Sequence, residues 1–294
     1  MNAKYAFIHG EEGNYPVRKM CTWATVSRSG YYEWRDREPS ATARWRAELG
    51  EIIEYLFIDS DRTYGHRRLH AALTRLGRGC DPQTVRKIMA ERDLIPCQPK
   101  PRRPVTTIAP DAGTTPDLLA RDFTAAEPGT KLVGDITYID TWAGWVYLAT
   151  VLDCFSKKVV GYAMAEHMRT DLVTEALGMA ARNGHVRAGV TIFHSDRGTQ
   201  YTSQAFAEYT EKIGVTRSVG RTGICYDNAW AESFNATLKV ERVHRTVYPT
   251  REHAIRDVTR YIELRYNQKR IHSALDYRTP NEFEQAWYAS RRVA

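Results

Sequence analysis

An α/β fold with a mixed sheet, preceded by a helical region, is what this sequence predicts, and three observations predict it. Apolar residues recur at helical spacing up to about residue 93. Six of the twelve prolines then crowd between Pro96 and Pro116. Beyond them, runs rich in Val, Ile, Tyr and Trp alternate with amphipathic stretches, the rhythm of a layered α/β unit. The 294 residues exceed one ordinary domain, and 43% apolar with 26% charged residues excludes wholesale disorder. No apolar run approaches the roughly 18 to 20 residues of a membrane helix, and Met1 to Gly10 has no secretory core. The expectation is a soluble, cytoplasmic chain without a membrane partner.

Each element can be justified in turn. Pro16 to Trp34 reads as a short helical hairpin with SRSG as its turn. Trp45 to Ile58 carries Leu49, Ile52, Ile53, Leu56 and Phe57 at helical spacing, and SDRTYG ends it. His66 to Leu76 aligns Leu69, Ala72, Leu73 and Leu76, then closes on Gly77 and Gly79. Asp81 and Pro82 form an N-cap followed by proline at the first helical position, opening a helix through Asp93 that shows Gln83, Thr84, Arg86 and Lys87 outward. Two short helices joined by a glycine turn fit a helix-turn-helix; a plain three-helix bundle fits the spacing as well. The proline-rich stretch that follows is a linker, and Lys100, Arg102 and Arg103 make it basic. Leu132 to Ile139, Trp145 to Asp153 and Val159 to Ala165 read as an antiparallel meander. Helix 171–182, strand 190–194, helix 203–213, strand 215–219 and helix 228–243 complete a mixed sheet, and helices 251–267 and 280–291 close the chain. The resulting divisions are 1–43, 44–98, 99–124 and 125–294.

Charge divides along the same lines. The net of +7 splits into +6 over 1–110, −4 over 111–216 and +5 over 217–294. Basic flanks around an acidic centre suit a protein that grips polyanions and holds cations between them, although chance surface charge gives the same sums. The five cysteines are scattered without a CxxC pair, which argues against a disulfide framework. His66, His70, Cys80 and Cys97 invite a zinc reading, but the two cysteines stand 17 apart, unlike the close pairs of structural zinc sites.

Three carboxylates carry the chemistry. Asp135 lies mid-strand among β-formers, where a charge is costly unless paired or metal-bound. Asp196 ends the fourth strand before the Arg197–Gly198 turn, at the carboxyl edge where α/β sheets gather ligands. Glu232 falls early in the helix NAWAESFNATLKVE. Acidic groups converging from separate elements repel unless divalent cations neutralise them. Mg²⁺ or Mn²⁺ fits such hard oxygen ligands, and two ions about 3.5–4 Å apart suit in-line displacement at phosphorus.

The strings GDITYID, HSDRGTQYTSQAF and DNAWAESFNATLKVE resemble bacterial insertion-sequence transposases of the retroviral-integrase superfamily. The resemblance extends to KYAFI, PVRKMCTWATVSRSGYYEW and YGHRRLHAAL, and so spans nearly the whole chain. Between Asp196 and Glu232 lie 35 residues, the family's spacing, and Lys239 stands seven after Glu232, where the family places a basic residue. Leu132 departs from the tryptophan many relatives carry three before the first aspartate. The resemblance implies a ribonuclease-H-like catalytic core behind the helix-turn-helix region. It further implies a DNA transposase that cleaves transposon ends and transfers their 3′-hydroxyls into target DNA. Asp135, Asp196 and Glu232 are then the catalytic metal ligands. Lys239, Thr84, Arg86, Lys87, Arg102, Arg103, Arg197 and Asn235 are candidate DNA contacts; Asn235 and Asn228, one turn either side of Glu232, suit DNA contact or polarising a ligand, and capping explains Asn228 as well. The implied partners are transposon-end and target DNA, further copies on DNA, and an upstream-frame protein supplied as a frameshift fusion. His194 and Asp153 read as structural groups near the site. Lys269 and Arg270, with Arg265 and Tyr266, form a basic-aromatic patch suited to phosphate or simply to solvent. A nuclease that only hydrolyses DNA, and a DNA-binding regulator with an inactive core, remain as alternatives.

Overall fold

The computed structural model describes residues 1–98, 115–220 and 228–292. Arg102, Arg103 and most of the linker lie outside the described residues. Two compact units, Met1–Tyr55 and Leu56–Ala294, divide the chain. Among the described residues no helix is long and apolar enough to cross a membrane.

In the first unit, helices α1 (Asn2–Gly10), α2 (Val17–Trp23) and α3 (Arg28–Asp36) bury Tyr5, Ile8, Met20, Cys21 and Tyr31 against one another. SRSG is not the turn. Ser27 caps α3 by accepting from the Gly30 amide, so Arg28 to Gly30 form the first helical turn and the chain reverses at Ala24–Val26. Helix α4 (Ala41–Asp59) runs from this unit into the second.

Helices α5 (His66–Arg75) and α6 (Pro82–Glu91) follow the expected plan. Leu69, Leu73, Val85, Ile88 and Met89 are buried, and the Asp81 carboxylate caps α6 through the Gln83 amide at 2.7 Å. Gly77 takes a positive φ of 70° in the connection, which an L-residue adopts only at a cost. By Pro116 the chain already lies against the core, because the Pro116 carbonyl accepts from the Val219 amide and Leu119 is buried beneath the sheet.

The sheet has five strands: β1 (Lys131–Ile139), β2 (Val146–Asp153), β3 (Val159–Ala165), β4 (Ile192–Ser195) and β5 (Thr216–Val219), in the order β3-β2-β1-β4-β5. The first three form the antiparallel meander, and β4 and β5 add in parallel to β1. Alternation along β1 sends Leu132 to one face and Val133 to the other. The Leu132 face packs on α7 (Thr170–Arg182), the short α8 (Thr199–Thr202) and α9 (Gln204–Lys212). The Val133 face packs on α10 (Ala229–Glu241) through Ala231, Phe234 and Leu238, and on α11 (Arg251–Arg260). Leu132 is fully buried, so the departure from tryptophan is an ordinary core residue. The expected helix 251–267 is α11 continued by a π-helix, Tyr261–Tyr266, before α12 (Pro280–Arg292). This wider turn still buries Tyr261, Ile262 and Tyr266.

Candidate catalytic site

Strand β1 pairs with β4 only over Lys131 to Val133, while its pairing with β2 runs on to Ile139. Asp135 therefore stands two residues past the point where β4 leaves, at the mouth of a fork in the sheet. Gly134 lets this happen: a Cβ there would lie 2.3 Å from the Phe193 ring. Asp196 directly follows β4, one residue later than the strand end expected for it, and its Oδ1 accepts from the Gly198 amide at 3.0 Å. Arg197 turns back to donate to the Gly220 carbonyl at 2.9 Å. Glu232 sits in the first turn of α10, on the rim.

The three carboxylates feel one another. Burial pushes the Asp135 carboxyl up to about 7, with Asp196 and then Glu232 adding to the rise, against hydrogen bonds from Ile136 and Asn235. Glu232 is raised by partial burial and then by Asp196. Tyr201, buried below, has its phenol held protonated by burial and then by Asp135 and Asp196. Among the described residues no three His, Cys, Asp or Glu side chains are drawn into a ready metal cage. The donor set is all oxygen and suits a hard divalent ion. The buried amide oxygens of Asn228 and Asn235 and the Thr150 hydroxyl, on the residue paired with Asp135, have no hydrogen-bond partner.

Asn235 is 7% exposed and donates to Asp135 Oδ2 at 2.8 Å, so its place is inside the site and the DNA-contact expectation gives way to a positioning one. Asn228 donates to the Gly134 carbonyl at 3.0 Å, fixing the start of α10 to β1. His194 is buried with Nδ1 2.8 Å from Ser218 Oγ. Asp153 is buried and accepts from the Gly129 amide, the Ser156 amide and the Ser156 hydroxyl, a structural role. The patch at Lys269–Arg270 is not a surface patch. Arg270 and Tyr266 are buried, Arg270 paired with Glu241 at 2.8 Å, while Arg265 donates to the Asp59 and Ser60 carbonyls. Of that group Lys269 alone keeps an exposed side chain, beside Asp59 at 3.4 Å. Lys239 is half-buried with its ammonium 4.4 Å from the centre of the Tyr138 ring. On α6, Arg86 and Lys87 are exposed and Thr84 is half-buried. The His70 ring meets the carbonyl of Cys80, not its thiol, at 2.9 Å.

A raised carboxyl makes stability depend on pH in a definite sense. Asp135 titrates near 7 in the folded chain and near the ordinary 3.9 when unfolded, so stability is lost as pH rises from about 4 through 7. Discounted for solvent, the loss is roughly 2 kcal/mol, or about 4–8 °C in melting temperature. Thermal melts in chelator at pH 5 and pH 8 should show this fall in the wild type and not in Asp135→Asn.

Comparison with known proteins bears on the whole chain. Two family profiles, each described as "Integrase core domain", match residues 125–225 and 213–280, and one described as "HTH-like domain" matches 44–103. The protein is 36% identical over 269 residues to "Insertion element IS600 uncharacterized 31 kDa protein" of Shigella sonnei, covering 92% of this chain and 98% of that one. It is 34% identical over 283 residues to "Transposase InsF for insertion sequence IS3A" of Escherichia coli K12, covering 96% and 98%. The chain belongs to the IS3-type insertion-sequence transposases. Membership makes it a polynucleotidyl transferase of the aspartate–aspartate–glutamate class, a DNA-binding enzyme whose integrase core depends on a divalent cation. Among solved structures, a simian T-cell lymphotropic virus intasome in complex with a PP2A regulatory subunit aligns with TM-score 0.46 at 16% identity, covering 73% of this chain and 70% of that one. The HTLV-2 integrase catalytic core domain in complex with magnesium aligns with TM-score 0.42 at 17% identity, covering 54% and 98%.

Proposed function

We propose that this transposase cleaves DNA at the ends of its element to expose 3′-hydroxyls and then joins those hydroxyls to target DNA, with Asp135, Asp196 and Glu232 as the catalytic carboxylates. The observation that carries this reading is the coupling of the three acids at the sheet fork, with Asp135 raised to about 7. Two Mg²⁺ or Mn²⁺ ions held by these carboxylates would supply activation of the attacking oxygen and stabilisation of the leaving one. Asn235 holds the Asp135 carboxylate in one orientation, and Asn228 ties the helix that bears Glu232 to the strand that bears Asp135. Helix α6 and the linker arginines grip the duplex, and the enzyme works as a homo-oligomer on DNA, joined by frameshift to an upstream-frame partner. Incubating the protein with DNA from the borders of its gene, in Mg²⁺, should give both nicked and joined products. Nicks without joining would make it a nuclease, and DNA binding without either product a regulator with an inactive core. Inverted repeats and an overlapping upstream frame in the flanking DNA would support the fusion.

Two variants test how DNA is held. Lys239→Ala should reduce joining roughly tenfold or more, the worth of a charged hydrogen bond, while Lys239→Arg recovers most of it. If alanine leaves joining intact and arginine impairs it, the side chain packs the helix face instead of placing substrate. For α6, replacing Arg86 and Lys87 by alanine should lower the slope of log affinity against log salt by about one unit per lost phosphate contact. An unchanged slope would make the α5–α6 pair a protein-docking unit.

A further inference from the structure

Two elements lead away from the three acids and meet again. Along β1, Tyr138 stands three residues beyond Asp135, about 10 Å at strand rise. Along α10, Lys239 stands seven beyond Glu232, also about 10 Å. Their convergence puts the Lys239 ammonium over the Tyr138 ring at 4.4 Å, and that ring meets Trp145 edge-on at 4.7 Å and 90°. Despite these contacts Tyr138 is 50% exposed and Trp145 46%, and Trp142, in the same turn, is 78% exposed.

Hydrogen bonds tie down the turn that carries these rings. The Thr141 hydroxyl donates to the Gly144 carbonyl and accepts from the Ala143 amide, and the Trp142 amide donates to the Tyr248 carbonyl at 3.0 Å. Gly144, at φ 100°, lets the Arg251 guanidinium lie against the turn, where a Cβ would come within 2.9 Å of it. Arg251 pairs with Glu166 at 2.8 Å.

We propose that the β1–β2 turn is a stacking platform for an unpaired nucleobase of the strand that leaves the catalytic site, with Tyr138, Trp142 and Trp145 supplying ring faces and Lys239 the adjacent phosphate contact. This rests on the DNA-transferase reading and adds the chemistry of its substrate: a frayed or single-stranded segment next to the reacting phosphate. Bases along a strand are spaced about 3.4 Å, so a strand whose phosphate lies at the acids passes the rings within about three nucleotides. Bases inside a duplex already have both faces stacked, so a free ring recruits an unpaired base. A base on an aromatic ring is worth about 1–3 kcal/mol, or roughly 5- to 150-fold in affinity, for any base identity.

The test compares binding by the full chain, in chelator, to a blunt duplex of the DNA bordering the gene and to the same duplex carrying a short unpaired tail with 2-aminopurine. Wild type should prefer the tailed DNA and quench the 2-aminopurine. Trp142→Ala, at a position too exposed to support the core, should lower that preference about tenfold while blunt-duplex affinity changes by less than about twofold. Trp142→Phe, which keeps a ring, should retain most of it, and the double variant Tyr138→Leu with Trp145→Leu should lose the quenching. Absence of a tail preference in the wild type, or equal loss for both DNAs in the variants, or variants that behave as wild type, overturns the platform and leaves the DNA reading standing. A wild type that binds neither DNA removes both.

Discussion

Asparagine at Asp135 or at Asp196, or glutamine at Glu232, is expected to abolish cleavage and joining together, by roughly a thousandfold or more, while duplex binding survives. An amide keeps the shape of each side chain and removes the charge that would offset a divalent ion, so about 4 kcal/mol or more of transition-state stabilisation goes with it. Binding survives because the exposed Arg86 and Lys87 lie on α6 and not among the acids. A gel assay that scores nicked and joined strands beside a binding titration measures both. Residual activity well above background in any one variant removes that residue from the catalytic set. Asp153→Asn is the matched control: the same change at a buried acid that caps the Gly129 and Ser156 amides should lower the melting temperature and not the chemistry of the folded enzyme.

The second large effect lies at the far end of α10. Glu241 and Arg270 are 5% and 6% exposed, joined through Arg270 Nε and Nη2 at 3.0 and 2.8 Å, with the Tyr261 hydroxyl donating to the same carboxylate at 2.8 Å. Burial raises the Glu241 carboxyl, but Arg270, Arg68 and Tyr261 outweigh it and hold the group below its ordinary value. Glu241→Ala leaves Arg270 buried without its counter-charge and beside Arg68. The expected cost is about 3–5 kcal/mol, a fall of roughly 6–20 °C in melting temperature. Glu241→Met combined with Arg270→Met should recover most of that loss, because two well-packed apolar chains avoid the desolvation both charges suffer. If the double variant melts no higher than the single one, the pair contributes more than charge balance.

How much of this was legible beforehand depends on how far apart the partners lie. Strand β3 has the bounds its Val–Tyr pattern gave, and α6 starts at Pro82 behind Asp81, because alternation and capping are local signals. Asp135 stands out as a charge among β-formers, and the 35-residue spacing between Asp196 and Glu232, read through the family resemblance, marks the other two candidate carboxylates. Arg270 misled because a basic residue between Lys269 and Ile271 looks like a surface group; its partner Glu241 is 29 residues away. Asn235 was half-read: its position one turn past Glu232 was visible, its bond to Asp135 across 100 residues was not. Ser27 and Gly30 resemble turn chemistry, yet the serine hydroxyl serves as a helix cap. The π-helix at Tyr261–Tyr266 keeps an apolar stripe close to α-helical spacing, so its wider turn left no mark in the pattern.

The fork in the sheet has a consequence for the order in which a growing chain acquires its parts. All three strands of the meander β1–β2–β3 exist once Ala165 has emerged, whereas β4 follows only after α7 has been made, and α10 later still. Even then Glu241 has only Arg68 beside it until Arg270 leaves the ribosome. At synthesis rates of about 5–20 residues per second, the nascent polypeptide spends several seconds with the meander strands made and Asp135 present without Glu232. A chain that ends between residues 242 and 269 would carry Asp135, Asp196 and Glu232 but lack the Arg270 guanidinium that pairs with Glu241 at the far end of α10.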